Sequence, residues 1–270
     1  TVPEFTVKEF DLTRASSGEV QLATTRTAFA VVYFEGGAPG DTKFTLKVHS
    51  GERAVAQLEL LARVPPAGEL KVTFADATNG ASTAGVVGLY GADQRLMVPP
   101  QAIAFDDAGF SYRKGQRRPY NVRYWAGDTS QRQAFFVDGG FSLVLPAGDY
   151  ALIEGKGPEY SPVVERIRVN AGATVERKIV LKRWIDMAAR GWVSGDAHVH
   201  YQRSGDASNR ALLTWARAED VRVSNVVRMG DAWKTYFEQY AYGRQGRYVK
   251  DGFALVAGQD RAYVGLLAWP

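Results

Sequence analysis

The sequence predicts an all-β N-terminal region followed by an α/β segment, and three observations lead to this fold class. Apolar residues between positions 5 and 181 recur with period two in short runs, as they do in half-buried strands. Clusters of glycine and proline separate these runs at turn positions. After Arg183 the pattern becomes strand, helix and strand, which is typical of a parallel sheet with crossover helices.

The all-β region is predicted to hold one or two β-sandwich modules. A first module spans residues 1–64, and Pro65-Pro66 marks the start of a second module over residues 65–183. Residues 141–145 and 150–153 are predicted to form a hairpin around the turn at 146–149. Further strands are predicted at residues 5–10, 28–34, 43–49, 69–74, 166–169 and 174–181.

The α/β segment covers residues 184–270 and opens with a strand that runs into a loop at residues 191–200. Ser208 or Asn209 caps a predicted helix that ends at Ala218. The later elements are a strand at 221–227, a short helix at 235–242 and a strand at 253–257. In parallel sheets the functional groups gather at the carboxyl ends of the strands, so we expect the site there.

Composition excludes several classes of function. The 270 residues contain no cysteine, which excludes disulfides, thiolate nucleophiles and cysteine-ligated zinc. The formal net charge is only +4 and the basic residues are scattered, so no nucleic-acid partner is expected. A small basic cluster, Arg113, Lys114, Arg117 and Arg118, is interpreted as a solvated loop.

No apolar run approaches the roughly 20 residues of a membrane-spanning helix, so no membrane span is expected. The chain begins Thr1-Val2-Pro3 without an initiator methionine, as a mature exported protein does after its signal peptide is removed. The predicted location is therefore periplasmic or secreted.

Two of the three histidines, His198 and His200, stand two residues apart in the strand predicted at 191–200. In a regular strand such residues point to the same side, with Cα atoms about 6–7 Å apart, so both imidazoles can bind one cation. Asp196 falls on the same face and can orient an imidazole from behind, as carboxylates beside metal ligands do. The alternative is a chance pair of histidines in a surface strand, and His49 is interpreted as an ordinary surface histidine.

Candidates for further metal ligands stand where the later predicted strands end. Asp231 follows the strand predicted at 221–227, and Asp260 follows the strand predicted at 253–257. Asp260 is a candidate metal ligand, and Asp231 is a candidate ligand or proton acceptor, although helix capping or turn formation explains most such residues. Arg228 or Arg261 can stabilise developing negative charge. No nucleophile elbow, P-loop or dinucleotide-binding glycine motif competes with this assignment.

The run Gly191-Trp192-Val193-Ser194-Gly195-Asp196-Ala197-His198-Val199-His200 resembles the opening of the PHP-type metallohydrolase domain in the CehA/McbA (carbaryl hydrolase-like) family. The lead-in residues 145–150, 157–160 and 183–184 resemble the β region before that domain. Residues 225–231 and 257–261 resemble later segments of the family. The resemblance is strongest from about residue 143 to residue 261, and the module at 65–183 is similar to carboxypeptidase regulatory-like domains.

The resemblance implies a distorted β/α barrel that holds two or three divalent ions such as zinc, manganese or iron. His198 and His200 match the first two metal ligands of the family. Asp260 stands where the family usually has a bridging glutamate, and Asp231 lies near an Asp-His motif whose histidine is missing here. The family supplies further histidines downstream, whereas this sequence has none after His200.

The leading hypothesis is a metal-dependent hydrolase that uses metal-activated water on a small-molecule ester, amide, carbamate or phosphoester. The alternative is a non-catalytic β-sandwich protein that binds a partner or a carbohydrate, with a degenerate PHP-like segment. Tyr120, Tyr124 and Trp125 are its candidate stacking residues. A third possibility is a structural β protein in which the histidine pair is incidental. The oligomeric state is left open.

Overall fold

A computed structural model describes residues 7–11, 29–33, 39–50, 53–104, 123–124, 133–230 and 235–259 of the chain. The chain divides into two compact units, Thr1–Pro66 and Ala67–Pro270. Within the described residues, no helix has the length and the apolar character that crossing a membrane requires.

The described residues of the first unit form two separate two-stranded sheets. Strand β1 (Val7–Asp11) pairs in parallel with β2 (Phe29–Tyr33). Strand β3 (Gly40–Ser50) pairs with β4 (Arg53–Val64) in an antiparallel ladder. The strands predicted at 28–34 and 43–49 are thus confirmed, and the sandwich proposed for residues 1–64 stays a prediction.

The second unit begins with eight strands in two facing sheets. One sheet has the order β11-β10-β6-β8-β7 and the other has the order β12-β5-β9. The side chains between the sheets form one apolar core, which includes Leu70, Leu89, Phe135 and Ile167. The strands are β5 (Ala67–Asp76), β6 (Ala84–Tyr90), β7 (Arg123–Tyr124), β8 (Gln133–Asp138), β9 (Gly140–Pro146), β10 (Gly148–Gly155), β11 (Val163–Val169) and β12 (Thr174–Leu181).

The hairpin predicted between β9 and β10 is wrong. Strand β9 pairs with β5, whereas β10 pairs with β6 and β11 in the other sheet. Phe141 on β9 and Leu152 on β10 belong to the same core, so the turn carries the chain from one side of the sandwich to the other. The Tyr150 hydroxyl donates a hydrogen bond to the Pro146 carbonyl oxygen at 2.7 Å and closes this corner.

Strands β6 and β8 are buried on both faces. All seven residues of β6 are buried, and so are the four central residues of β8. Alternate side chains therefore enter two different cores. Those that face the sandwich core are Val87, Leu89, Phe135 and Val137. Those that face the second core are Ala84, Val86, Ala134 and Phe136.

The second core lies under a small α/β layer. Its members from this layer include Leu212 and Leu213 of the helix, Val226 of the middle strand, and Phe253 and Leu255 of the next strand. After a 3-10 turn at Ala188–Arg190, the layer consists of β13 (Gly195–Val199), α1 (Asp206–Ala218), β14 (Val223–Gly230), β15 (Thr235–Tyr236), β16 (Tyr248–Lys250) and β17 (Phe253–Gln259).

The sheet of this layer has the order β13-β14-β17-β16, and its first three strands are parallel. The predicted strand, helix and strand order is confirmed, as is the strand predicted at 253–257. The helix ends at Ala218 as predicted, but it begins at Asp206. Ser208 therefore lies inside its first turn and is not the N-cap residue. There the Ser208 hydroxyl oxygen accepts hydrogen bonds from the backbone N–H groups of Ser204 and Gly205.

The short helix predicted at 235–242 does not form. Thr235 and Tyr236 form β15, which pairs with the end of β14. Phe237 then has a φ of +54°, which breaks any right-handed helix at that point. Antiparallel pairing with the preceding strand has overridden the local helical pattern.

An ionic cluster joins the sandwich to the α/β layer. The Arg183 guanidinium bonds Glu159 and Asp220 at 2.6 Å each and lies 4.3 Å from the centre of the Tyr160 ring. The Tyr160 hydroxyl donates to an Asp76 carboxylate oxygen at 2.6 Å. Because Asp220 follows α1 and Asp76 ends β5, these contacts fix the layer on the sandwich.

Glu154 is a buried acid whose ionisation opposes folding. Its side chain is 1% exposed and both carboxyl oxygens lack hydrogen-bond partners. Burial, together with repulsion from Glu165, raises its pKa from 4.5 to about 9. The unfolded chain releases this proton at a lower pH than the folded chain does. Stability is therefore lost as pH rises from about 4.5 to about 9.

We expect Glu154→Gln to raise the free energy of unfolding at pH 7 by roughly 2 kcal/mol, because the amide cannot ionise. The gain should vanish near pH 4, where both states hold the proton. Urea denaturation at the two pH values measures the effect, with exposed Glu176→Gln as the control. An equal gain at both pH values would contradict this account.

Candidate functional site

The carboxyl ends of three parallel strands meet at one edge of the α/β layer. Val199 pairs with Val226 at the end of β13, and Val227 pairs with Gly258 near the end of β17. His200, the residue after β13, therefore lies beside Val227 on the middle strand. This is the edge at which the site was expected.

The imidazoles of His198 and His200 converge at this edge. Their Nε2 atoms are 3.0 Å apart, and their ring centres are 4.7 Å apart with the planes at 76°. His198 is exposed and His200 is half-buried. The two nitrogens that a metal ion would use thus point into the same space.

The strand that carries the pair is irregular. Between Asp196 and Val199 the register with β14 shifts by one residue, which is a β-bulge. The Asn225 side-chain amide donates to the Ala197 carbonyl oxygen at 3.0 Å. The two rings therefore converge across a bulge rather than along the regular strand that the sequence analysis assumed.

Asp196 supports the same bulge. Its carboxylate accepts a hydrogen bond from the backbone N–H of His198 at 3.0 Å. This contact fixes the main chain of His198. The predicted role of Asp196 in orienting an imidazole ring stays a prediction.

His200 has a backbone contact that favours one of its two neutral tautomers. Its Nδ1 atom is 3.3 Å from the Val227 carbonyl oxygen, which can only accept. The contact favours the tautomer with the proton on Nδ1, in which Nε2 of the neutral ring keeps a lone pair. The Phe237 ring stacks on the imidazole with centres 5.1 Å apart and planes at 27°.

The remaining predicted residues are distributed as follows. Arg228, in the middle strand, donates from a terminal guanidinium nitrogen to the Thr235 hydroxyl at 3.1 Å. Asp231, Asp260 and Arg261 lie outside the described residues, as do Tyr120 and Trp125. Among the residues that are described, no three His, Asp or Glu side chains lie together as a metal-binding group.

Sequence reasoning missed the supports of the pair. Phe237, the Val227 carbonyl group and Asn225 hold the rings or the bulge, yet only Asn225 gives a signal, as an amide side chain inside a predicted strand. The other two contacts arise from pairings between distant segments.

A cleft of about 410 Å³ opens at the opposite end of the same strands. Ser194, Val223 and Ala254 line it where the strands begin, together with the exposed Trp192. It is therefore separate from the histidine pair.

No protein-family model matches the chain, and no curated protein is similar to it in sequence. The chain is similar to the solved structure of GBS52, the minor pilin of Streptococcus agalactiae, with 18% identity over 57% of this chain and 64% of that chain, at a TM-score of 0.28. It is also similar to BcpA, the major pilin subunit of Bacillus cereus, with 18% identity over 54% of this chain and 40% of that chain, at a TM-score of 0.26.

Phospholipase PlaB from Legionella pneumophila is a further similar structure, with 14% identity over 54% of this chain and 30% of that chain, at a TM-score of 0.26. The matched part spans less than two thirds of the length of each of these three proteins. Scores this low assign neither a fold nor a function to the chain.

The geometry of His200 makes a direct prediction. We expect ¹⁵N NMR of the metal-free protein at pH 8 to show the His200 ring with its proton on Nδ1, because the Val227 carbonyl accepts from that atom. Free histidine in the same buffer serves as the comparison and shows a mixture of both tautomers. A proton on Nε2 of His200 would contradict the hydrogen bond.

Proposed function

We propose that the chain belongs to a metal-dependent hydrolase whose first two metal ligands are His198 and His200. The observation that carries the proposal is the 3.0 Å approach of the two Nε2 atoms at the carboxyl edge of a parallel sheet. In the metal-free protein this contact is a hydrogen bond between the rings, and a cation that replaced its proton would meet one nitrogen from each ring.

The spacing of the nitrogens is compatible with one shared ion. Two nitrogens that each lie 2.0–2.1 Å from an ion are about 3.3 Å apart in a tetrahedral site and about 2.9 Å apart in an octahedral one. The observed 3.0 Å lies between these values. In addition, the hydrogen bond from Nδ1 of His200 to a backbone carbonyl is the support that metal-binding histidines commonly have.

A divalent ion of this kind, zinc, manganese or iron, acidifies water and polarises a scissile bond when it is bound. His198 and His200 would hold it, and Asp260 would complete the ligand set. The Asp231 or Asp196 carboxylate would accept a proton during hydrolysis. Arg228 would stabilise negative charge that develops on the substrate.

The wider family assignment is part of the same proposal. The motif around the histidine pair supports a PHP-type α/β domain of the CehA/McbA kind, preceded by a carboxypeptidase regulatory-like sandwich at 65–183. The substrate class is a small ester, amide, carbamate or phosphoester, and the proposed location is periplasmic or secreted.

Removal of either imidazole tests the metal site. We expect the wild-type chain to bind close to one equivalent of Zn²⁺, and His198→Ala and His200→Ala each to weaken that affinity roughly 100-fold or more, because one of two described ligands is lost. Isothermal titration with ZnCl₂ measures the affinity. His49→Ala is the matched control and should bind as the wild type does.

Equal Zn²⁺ affinities of His198→Ala and wild type would refute the proposed metal site. In that case the non-catalytic binding function or the structural β protein would remain.

Asp260 is tested by a graded pair of substitutions. We expect Asp260→Asn to weaken Zn²⁺ binding at least roughly tenfold, because the amide lacks the negative charge of the carboxylate. Asp260→Glu should retain most of the affinity, since it keeps the charge and restores the residue that the family usually has. The same titration measures both variants, and equal affinities would remove Asp260 from the ligand set.

A further inference from the structure

Phe237 combines two unusual features at the candidate site. Its φ of +54° lies in a region that side chains other than glycine rarely adopt. Its ring also stacks on the His200 imidazole, with the centres 5.1 Å apart. Strained backbone of this kind persists only where the surroundings enforce it, and it is concentrated at functional sites.

A buried glutamine enforces the conformation from one side. The Gln239 amide nitrogen donates to the carbonyl oxygens of Phe237 and Tyr201 at 2.8 Å each. Gln239 is 8% exposed, and Tyr201 is the residue directly after His200. One side chain thus ties the main chain of Phe237 to the main chain beside His200.

A buried arginine, Arg203, fixes the segment that follows Phe237. The Arg203 backbone N–H donates to the Glu238 carbonyl oxygen at 3.0 Å, and the Arg203 carbonyl accepts from the Tyr240 N–H at 2.9 Å. The guanidinium donates to the Asn209 side-chain oxygen and to the Gly246 carbonyl oxygen, both at 2.8 Å.

Arg203 is 1% exposed, its guanidinium hydrogen bonds within the described residues go to the neutral groups of Asn209, Gly246 and Tyr240, and its Nη1 atom has no hydrogen-bond partner there. Burying a guanidinium charge without a carboxylate partner costs free energy. An apolar side chain would fill this position at less cost, so packing alone does not explain an arginine here. The guanidinium donates in several directions at once, however, so it can hold separate segments of the chain together. Arg203 and Gln239 together hold residues 237–246 against the loop that follows β13.

We infer that Phe237, held by this clamp, is a positioning residue that fixes the plane of the His200 ring for metal binding. The stack restricts rotation of the imidazole, while the bond from Nδ1 to Val227 sets its direction. The inference rests on the proposed metal site. On this view, the strained backbone of Phe237 is the energetic cost of placing its aromatic ring against the His200 imidazole.

The test separates positioning from stability. Phe237→Gly relieves the backbone strain and removes the ring, so the melting temperature of the metal-free protein should change by less than about 3 °C. Its Zn²⁺ affinity should nevertheless fall roughly tenfold, the usual effect of losing a residue that orients a ligand. Phe237→Tyr keeps the ring and should bind Zn²⁺ within about threefold of wild type.

Asp251→Gly is the matched control. Asp251 has a φ of +52° in the turn between β16 and β17, so this change relieves the same strain away from His200. It should leave Zn²⁺ affinity unchanged. If Phe237→Gly does not fold, Phe237→Leu keeps a side chain of similar volume without the flat ring, and the same tenfold loss is expected.

A second readout needs no metal. In wild type the ¹⁵N signals of His200 should show the proton on Nδ1, and in Phe237→Gly they should shift toward a mixture of tautomers. Wild-type Zn²⁺ affinity in the glycine variant, or an unchanged His200 spectrum, would overturn the inference. If the wild type itself takes up no Zn²⁺, the proposed function fails, and the spectrum alone decides whether Phe237 positions His200.

Discussion

The burial of β6 and β8 on both faces is the constraint on which the rest of the second unit depends. One face of this strand pair completes the sandwich core, and the opposite face carries α1 and the parallel strands. The α/β layer therefore cannot slide or rotate without exposing apolar side chains of the sandwich. Because α1 and β14 are anchored at this surface, the direction of the parallel strands is fixed, and with it the edge at which the histidine pair lies.

Sequence patterns predicted strands such as β5, which has one buried face, and missed β6 and β8, which are buried on both faces. Strand β5 alternates buried and exposed residues along most of its length, so its period of two is visible in the sequence. Strands β6 and β8 have continuous apolar runs instead, which periodicity cannot assign. The false hairpin between β9 and β10 has a related cause, because turn residues show that the chain reverses and not which sheet it joins next.

The identity of the candidate site was predictable, whereas its support was not. Residue type and spacing single out His198 and His200, because few histidines are present and these two stand two residues apart on one segment. The bulge that brings the rings together depends on pairing with β14 and on Asn225, which is remote in sequence. The stacking of Phe237 depends on a positive φ that no local pattern requires. Ligand types are local properties of a sequence, but ligand orientation is a tertiary property.

The two imidazoles are held by different means, and this bears on how the ligand set of the proposed metal site could be completed. His198 is exposed, and its backbone is fixed locally by Asp196 within the bulge. His200 is half-buried and fixed by Val227 and Phe237 from two other segments. Because Phe237 covers one face of the His200 ring and Nδ1 faces Val227 on β14, the Nε2 edge towards His198 is the part of the ring that the proposed metal site would use. Asp260 follows β17 and Asp231 follows β14, so both belong to segments that end at this edge of the sheet.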